Sequence, residues 1–170
     1  RISYEDSLRI NTIVAGAVGT EINMKNPLVT AELPIGGSRF QGEIPPVVKT
    51  PTFNIRKKAI KIFTLEEYVD NGTMTERQYN SICKAVKEKK NILVIGGTSS
   101  GKTTLCNAII NEMAKYQERM IIIEDTQELQ CACDDRVFLR TSDTVTIRDL
   151  IKATLRMRPD RISIGEIRGG

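Results

Sequence analysis

Gly96-Gly-Thr-Ser-Ser-Gly101-Lys102-Thr103 is the stretch of sequence that decides the fold of the second half of the chain. It matches the pattern G-x-x-x-x-G-K-[ST]. The apolar run Asn91–Ile95 precedes it and has the length of a strand, while apolar residues at helical spacing follow from Leu105. The pattern therefore predicts a glycine-rich loop between a strand and a helix, which is the context that gives the motif its specificity.

This loop, residues 96–103, has the residue types of a P-loop. Glycines permit a tight turn whose N–H groups face phosphates, and the helix N-terminus adds partial positive charge. Lys102 would reach the β- and γ-phosphates, and Thr103 would place its hydroxyl on Mg²⁺. The alternative is a glycine-rich turn beside a solvated lysine. We predict that ATP and Mg²⁺ bind here, through Gly96, Gly97, Thr98, Ser99, Ser100, Gly101, Lys102, Thr103 and Thr104.

Carboxylates follow two further apolar runs, where a P-loop needs an acidic partner. Met120–Glu124 is followed by Asp125 and Glu128, and Arg161–Gly165 is followed by Glu166. The second run resembles a Walker B strand in which Gly165 replaces the usual Asp. Our hypothesis is that Glu166 polarises the attacking water, while Thr103, ordered water and a carboxylate of residues 124–128 support the metal. Alternatively, Glu124 and Asp125 only cap or solvate the loop after the strand.

These arguments give two sets of predicted site residues. The catalytic set from these motifs is Glu166, Lys102, Glu124 and Glu128. The metal set is Thr103 and Asp125, although the sequence leaves open which carboxylate of the 124–128 segment meets the metal.

Arginines are concentrated near the end of the chain. A guanidinium binds phosphate bidentately and stabilises transition-state charge, but a surface salt bridge is the commoner use of any one arginine. The same two interpretations apply to Arg39 and Arg56. The residues near the end are Arg136, Arg140, Arg148, Arg156, Arg158, Arg161 and Arg168.

The first 70 residues differ in sequence pattern from the second half of the chain, and their pattern predicts a small α+β domain. Apolar residues at helical spacing predict a helix over residues 4–18, and prolines and glycines then separate short segments. Those segments, Thr30–Leu33, Arg39–Ile44 and Thr52–Arg56, are typical of strands. Thr64 is a good cap for a short linker helix, so we expect the domain boundary near residues 70–75.

Residues 71–170 alternate between helical and strand-like patterns. Thr75 can cap a helix, and a further helix is predicted from Ile147. Strands are predicted at Met120–Glu124, Val137–Arg140 and Arg161–Gly165. Near-continuous apolar strands between helices predict an α/β domain with a mainly parallel sheet.

Composition narrows the class of protein. The 170 residues are 40 % hydrophobic with a net charge of +4, which suits a globular chain with a core. No dense basic block appears, so an ordinary mixed surface is favoured over a nucleic-acid or membrane surface. No apolar run spans a bilayer, and Ile10–Ala17 lacks the flanks of a signal peptide. The chain has four cysteines but no histidine, so we predict reduced thiols rather than a metal site.

With these motifs, the chain resembles the type II/IV secretion ATPase superfamily, in its conjugal-transfer (TrbB-like) branch. The resemblance extends over essentially all of the sequence. Residues 124–129 resemble the family's Asp box, and residues 156–161 with 165–169 resemble its Walker B region. The other matching segments are residues 31–34, 38–40, 44–47 and 53–57 in the first part, 64–69 in the linker helix, and 91–98 before the P-loop.

The resemblance implies a RecA-like P-loop NTPase domain after a PAS-like α+β domain. It implies a homo-hexamer that hydrolyses ATP between subunits, cytoplasmic and peripheral to the inner membrane. Its partners would be inner-membrane components of the secretion machinery, with an indirect role in DNA or protein translocation or in pilus assembly. Arg39 and Arg56 would contact nucleotide, and Arg140, Arg156 and Arg158 are candidates for charge stabilisation. The resemblance thereby adds Arg156 to the predicted catalytic set. The family's His box is absent, so we expect a fragment whose NTPase domain is truncated.

Two other functions compete with this one. A P-loop kinase or ABC-type ATPase would need an acceptor pocket and lid or its own signature, and the sequence shows neither. A nucleotide-binding interaction module without turnover would need no more than the motifs described above.

Overall fold

The computed structural model describes residues 2–34, 36–57, 61–142 and 144–166. The chain forms two compact units, Arg1–Lys58 and Ala59–Gly170. The N-terminal unit is α+β and the C-terminal unit is α/β with a parallel sheet, as the sequence predicted. No described helix is both long enough and apolar enough to cross a membrane.

The N-terminal unit packs one helix on a three-stranded antiparallel sheet. Helix α1 spans Tyr4–Ala17. The sheet has the order β1-β2-β3, with strands at Leu28–Glu32, Arg39–Glu43 and Thr52–Arg56. Apolar residues on one face of each element form the core, which includes Ala15, Val29 and Phe40.

Asn11 ties α1 to the sheet of this unit. Its buried side-chain amide donates to the carbonyl oxygens of Ser7 at 2.9 Å and Thr52 at 3.2 Å. A Cβ at Gly42 would lie 1.8 Å from the Asn11 Oδ1 atom, so the strand β2 can pass this side chain only with glycine there.

The C-terminal unit begins with two helices, each of which starts with a capping box. Helix α2 spans Leu65–Asp70 and α3 spans Glu76–Lys87. Thr64 and Thr75 cap them, and each cap is completed by a Glu or Gln at the third helical position. Helix α4 then spans Lys102–Ala114, and α5 spans Ile147–Thr154.

The sheet of this unit is parallel, in the order β5-β4-β6. Strand β4 spans Met120–Glu124, β5 spans Arg136–Arg140 and β6 spans Arg161–Ile164. All five residues of β4 are buried, because it has a strand on each side and core residues against it. The predicted strands at these three places are confirmed to within one residue at each end.

Two sequence predictions about the C-terminal unit need correction. The two compact units divide at Lys58/Ala59 rather than near residues 70–75, because Leu65 of the linker helix packs with Val86, Ala108 and Ile109. The prediction of a strand at Asn91–Ile95 is wrong, since residues 91–97 have no regular secondary structure.

The strand predicted at residues 91–95 has no partner strand among the described residues. A strand is stable only beside another strand that completes its backbone hydrogen bonds, and β4 is the described strand with which β5 and β6 both pair. The apolar segment, residues 91–95, pairs with no strand of the described residues. Its Leu93 and Ile95 side chains are 78 % and 83 % exposed.

We expect Leu65→Ala to destabilise the C-terminal unit by about 2–5 kcal/mol, because it leaves a cavity among α2, α3 and α4. Leu65 is 1 % exposed, whereas Leu155 is 74 % exposed. Leu155→Ala is therefore the matched control and should change the free energy of unfolding by less than about 0.5 kcal/mol. Urea unfolding of both variants measures the difference. Equal stabilities would contradict the assignment of α2 to this unit.

Candidate phosphate and metal site

The P-loop turns sharply into α4 at Gly101. This residue has φ +87° and is the N-cap of α4, and its carbonyl accepts the Leu105 N–H at 2.9 Å. Positive φ is strained for a residue with a Cβ. Gly96 serves the other side of the turn, since a Cβ there would lie 2.5 Å from the Ser100 Oγ atom. The two glycines thus shape the loop for different reasons.

The first turn of α4 suits an anion. Glycine at the N-cap brings no side-chain oxygen to the N–H groups of that turn, which carry the positive end of the helix dipole. The Lys102 ammonium lies along the loop and donates to the Gly97 carbonyl at 2.5 Å. Cationic and N–H donors therefore share one small loop, the arrangement that phosphate groups favour.

Thr103 connects the P-loop to the turn after β4. Its hydroxyl donates to the Glu128 carboxylate at 3.1 Å. We call residues 124–129 the acidic turn. A hydroxyl and a carboxylate are oxygen ligands of the kind that Mg²⁺ prefers. The described residues contain no group of three or more His, Cys, Asp or Glu side chains able to hold a metal by themselves.

Two buried polar side chains hold the backbone beside Glu128. Glu124 is 4 % exposed, and its Oε1 atom accepts the N–H groups of Glu128 at 2.9 Å and Leu129 at 2.8 Å. Asn107 of α4 accepts the Gln130 N–H at 2.9 Å and donates to the Glu128 carbonyl at 3.4 Å. The acidic turn is therefore fixed both from β4 and from the helix that carries Thr103.

Asp125 faces a different neighbour. The Thr141 hydroxyl donates to the Asp125 carboxylate, and the Arg140 Nε–H donates to the Asp125 carbonyl at 3.2 Å. Both partners lie at the end of β5. Of the candidate carboxylates, it is Glu128 that the structure brings to Thr103.

Glu166 and Gly165 lie just beyond β6. The Gly165 N–H donates to the Ile123 carbonyl at 2.9 Å, which continues the parallel ladder by one residue. Ile164 is the register partner of Ile123, so Gly165 lies beside Glu124 at the carboxyl edge of the sheet. Glu166 follows and is exposed.

The arginines separate into several environments. Arg39 and Arg56 are register partners on β2 and β3 of the N-terminal unit. Arg156 and Arg158 are exposed after α5. Arg161 is buried and donates to the Glu118 carboxylate, which assigns it to the packing of β6. Arg168 lies outside the described residues.

Sequence reasoning missed Asn107 and Thr141. Asn107 lies within the apolar pattern of α4, where a buried amide must find partners, and that anomaly was a usable signal. Thr141 carried no signal, because its role depends on the neighbouring end of β4.

The C-x-C pair has a structural role in the described core. Cys133 packs with Leu129 and Met120, and burial raises the pKa of its thiol to about 12.

Comparisons with known proteins give a consistent picture. A family model described as "Type II/IV secretion system protein" matches residues 17–170. The probable conjugal transfer protein TrbB of Sinorhizobium fredii is 50 % identical over 159 residues, which cover 92 % of this chain and 49 % of that protein. The type IV secretion system protein VirB11 of Bartonella quintana is 33 % identical over 210 residues, covering 99 % of this chain and 58 % of that protein.

Among solved structures, the VirB11 ATPase from the Brucella suis type IV secretion system, in complex with sulphate, is similar. The identity is 32 %, the TM-score is 0.49, and the match covers 99 % of this chain and 59 % of that one. The chain spans about half the length of the curated relatives it matches.

We expect Gly101→Ala to lower the stability of the ligand-free protein by about 1–2 kcal/mol, because φ is +87° there and alanine is strained in the left-handed region. Gly97→Ala is the matched control in the same loop. A Cβ at Gly97 meets nothing within 4 Å and its φ is not positive, so the change should stay within about 0.5 kcal/mol. Thermal unfolding of the two variants decides the point, and equal losses would contradict the strain argument.

Proposed function

Because the chain belongs to the type II/IV secretion system protein family, we propose that it is the nucleotide-binding portion of an ATPase that powers type IV secretion or conjugative transfer. The observation that carries the proposal is the contact between Thr103, the first threonine after the P-loop lysine, and Glu128 of the acidic turn, at 3.1 Å. A P-loop that opens a helix and faces a carboxylate is the arrangement that phosphoryl transfer requires.

The phosphates of ATP bind at the N-terminus of α4. The N–H groups of the P-loop and the first helical turn donate to the phosphate oxygens. Lys102 exchanges its hydrogen bond to the Gly97 carbonyl for one to the β- and γ-phosphates, which compensates their charge. Gly101 keeps the backbone close enough for both.

Thr103 and Glu128 would hold Mg²⁺ beside the nucleotide phosphates, since hydroxyl and carboxylate oxygens suit this ion. When bound, Mg²⁺ neutralises the charge on the β- and γ-phosphate oxygens. Thr103 would hold the ion through Oγ1 and Glu128 through its carboxylate. The Asp125 carboxylate, held by Thr141, is the less favoured ligand.

Glu166 acts as the general base. Its carboxylate accepts a hydrogen bond from the attacking water and takes that water's proton as the water oxygen bonds to the γ-phosphorus. The bond from the γ-phosphorus to the β–γ bridging oxygen breaks in the same step, and ADP leaves with that oxygen. Its position just after β6, at the same sheet edge as the acidic turn, supports this role.

Membership of the family also supports a larger assembly. The whole protein would form a homo-hexameric ring, cytoplasmic and peripheral to the inner membrane, bound to components of the secretion machinery. A RecA-like domain and a PAS-like N-terminal domain would form each subunit. Arg39 and Arg56 would contact nucleotide, and Arg140, Arg156 and Arg158 would stabilise transition-state charge. DNA, protein or pilus subunits are the candidate cargoes.

We expect Lys102→Ala to abolish ATP hydrolysis by the full-length protein and to weaken ATP binding, because the phosphates lose their cationic partner.

We expect Glu166→Gln to reduce kcat by at least about 100-fold while ATP still binds, because a rate loss of this size is typical when a general base is removed. Phosphate release and nucleotide titration measure the two quantities.

Lys152→Ala and Glu76→Gln are matched controls, since both side chains lie on exposed residues of α5 and α3. Both variants should hydrolyse ATP at the parent rate. Binding without turnover in the parent, in every assembly state, would instead favour a nucleotide-gated interaction module.

We expect Glu128→Gln to reduce by about tenfold the gain in ADP affinity that Mg²⁺ confers, because a neutral amide is a weaker partner for the ion and for Thr103. Asp125→Asn should leave that gain within about twofold, since its side-chain oxygen can still accept from Thr141. Calorimetric titration with and without Mg²⁺ measures the gain. The reverse order of the two variants would assign the metal to Asp125.

A further inference from the structure

Gly165 lies against the Glu124 side chain. A Cβ at Gly165 would be 2.8 Å from the Glu124 Cγ atom, 2.9 Å from Oε1 and 3.3 Å from Cδ. The φ of Gly165 is not positive, so its backbone conformation is open to any residue. What glycine provides at this position is therefore space rather than backbone freedom.

The Glu124 side chain, which occupies the space beside Gly165, is buried and needs hydrogen-bond donors. Glu124 is buried, and a buried carboxylate is stable only when its oxygens accept hydrogen bonds. Its Oε1 atom, the same atom that approaches Gly165, accepts both the Glu128 and Leu129 N–H groups. A side chain at position 165 would push on the atom that makes both bonds.

Those two bonds set the direction of Glu128. They close the acidic turn on the end of β4, while Asn107 holds the following backbone from α4. The Glu128 carboxylate is consequently held at the Thr103 hydroxyl. A shift of Glu124 by a few tenths of an ångström would be passed to Glu128 through two short backbone contacts.

We propose that Gly165 and Glu124 are positioning residues: by lacking a side chain, Gly165 leaves Glu124 the volume from which it holds the acidic turn and aims Glu128 at Thr103. This inference rests on the proposed function of Thr103 and Glu128 at the metal. Glu124 is thereby removed from the set that touches nucleotide or metal.

The same contact explains why the usual aspartate of a Walker B strand is replaced by glycine. An aspartate at position 165 would collide with Glu124 and set a second carboxylate beside a buried one, where like charges destabilise each other. In this chain the acidic partner of the P-loop threonine comes from the acidic turn instead.

The test is a double-mutant cycle in the full-length protein, with Gly165→Ala, Glu124→Ala and the two combined. The first readout is the gain in ADP affinity that Mg²⁺ confers. Gly165→Ala should reduce that gain about tenfold, while ADP affinity without Mg²⁺ stays within about twofold because the P-loop is not touched. Glu124→Ala removes the three atoms nearest to the new Cβ, so adding Gly165→Ala to it should change the gain by less than about twofold.

The second readout is independent of nucleotide. Hydrogen exchange of the Glu128 and Leu129 amides in the ligand-free protein reports the two bonds to Glu124. Protection of both amides should fall by about tenfold or more in Gly165→Ala and in Glu124→Ala. Gly16→Ala, where a Cβ meets nothing within 4 Å, should change neither readout.

The outcomes separate the inference from the function on which it rests. Lost amide protection in a protein whose parent shows no Mg²⁺-dependent gain would keep the positioning contact and overturn the metal site. Unchanged protection, or effects of the two substitutions that add, would overturn the positioning role. If Gly165→Ala does not fold, the combined variant should still match Glu124→Ala in unfolding midpoint and protection, and a further loss would overturn the proposal.

Discussion

The burial of β4 is the constraint on which the C-terminal unit depends. Its five residues are enclosed between β5 and β6, so the chain must leave the sheet edge at Glu124 with a carboxylate that is still buried. That charge is satisfied by the N–H groups of the next few residues, which closes the acidic turn. The core thus determines where Glu128 stands, and Glu128 in turn faces Thr103 on α4.

Periodicity and capping residues predicted most of the elements. Thr64 and Thr75, which the sequence indicated as caps, each form a capping box, and local signals of this kind need no knowledge of tertiary structure. The resemblance to the secretion ATPase superfamily is confirmed by the family match over residues 17–170. The domain boundary was misplaced because the packing of Leu65 is a long-range contact that no local pattern records.

The candidate site was predictable in kind but less so in detail. The P-loop pattern located Gly101, Lys102 and Thr103, and the strand-end carboxylates were identified as a group. The sequence did not distinguish Glu124 from Glu128, because these residues differ in burial and hydrogen-bond partners rather than in sequence context. The role of Gly165 could not be predicted from the sequence either, because a glycine that provides space is recognised only from the side chain beside it, here Glu124.

The exposed apolar segment, residues 91–95, bears on the tendency of the chain to aggregate before and during folding. Its Ile92, Leu93 and Ile95 side chains present a short, uncharged, β-prone surface whose backbone pairs with no described strand, which is the profile of an aggregation nucleus. The residues just before it are charged: Lys87, Glu88, Lys89 and Lys90. They act as gatekeepers, because intermolecular stacking of this segment would bring like charges together. The charged residues before the segment would therefore oppose its self-association.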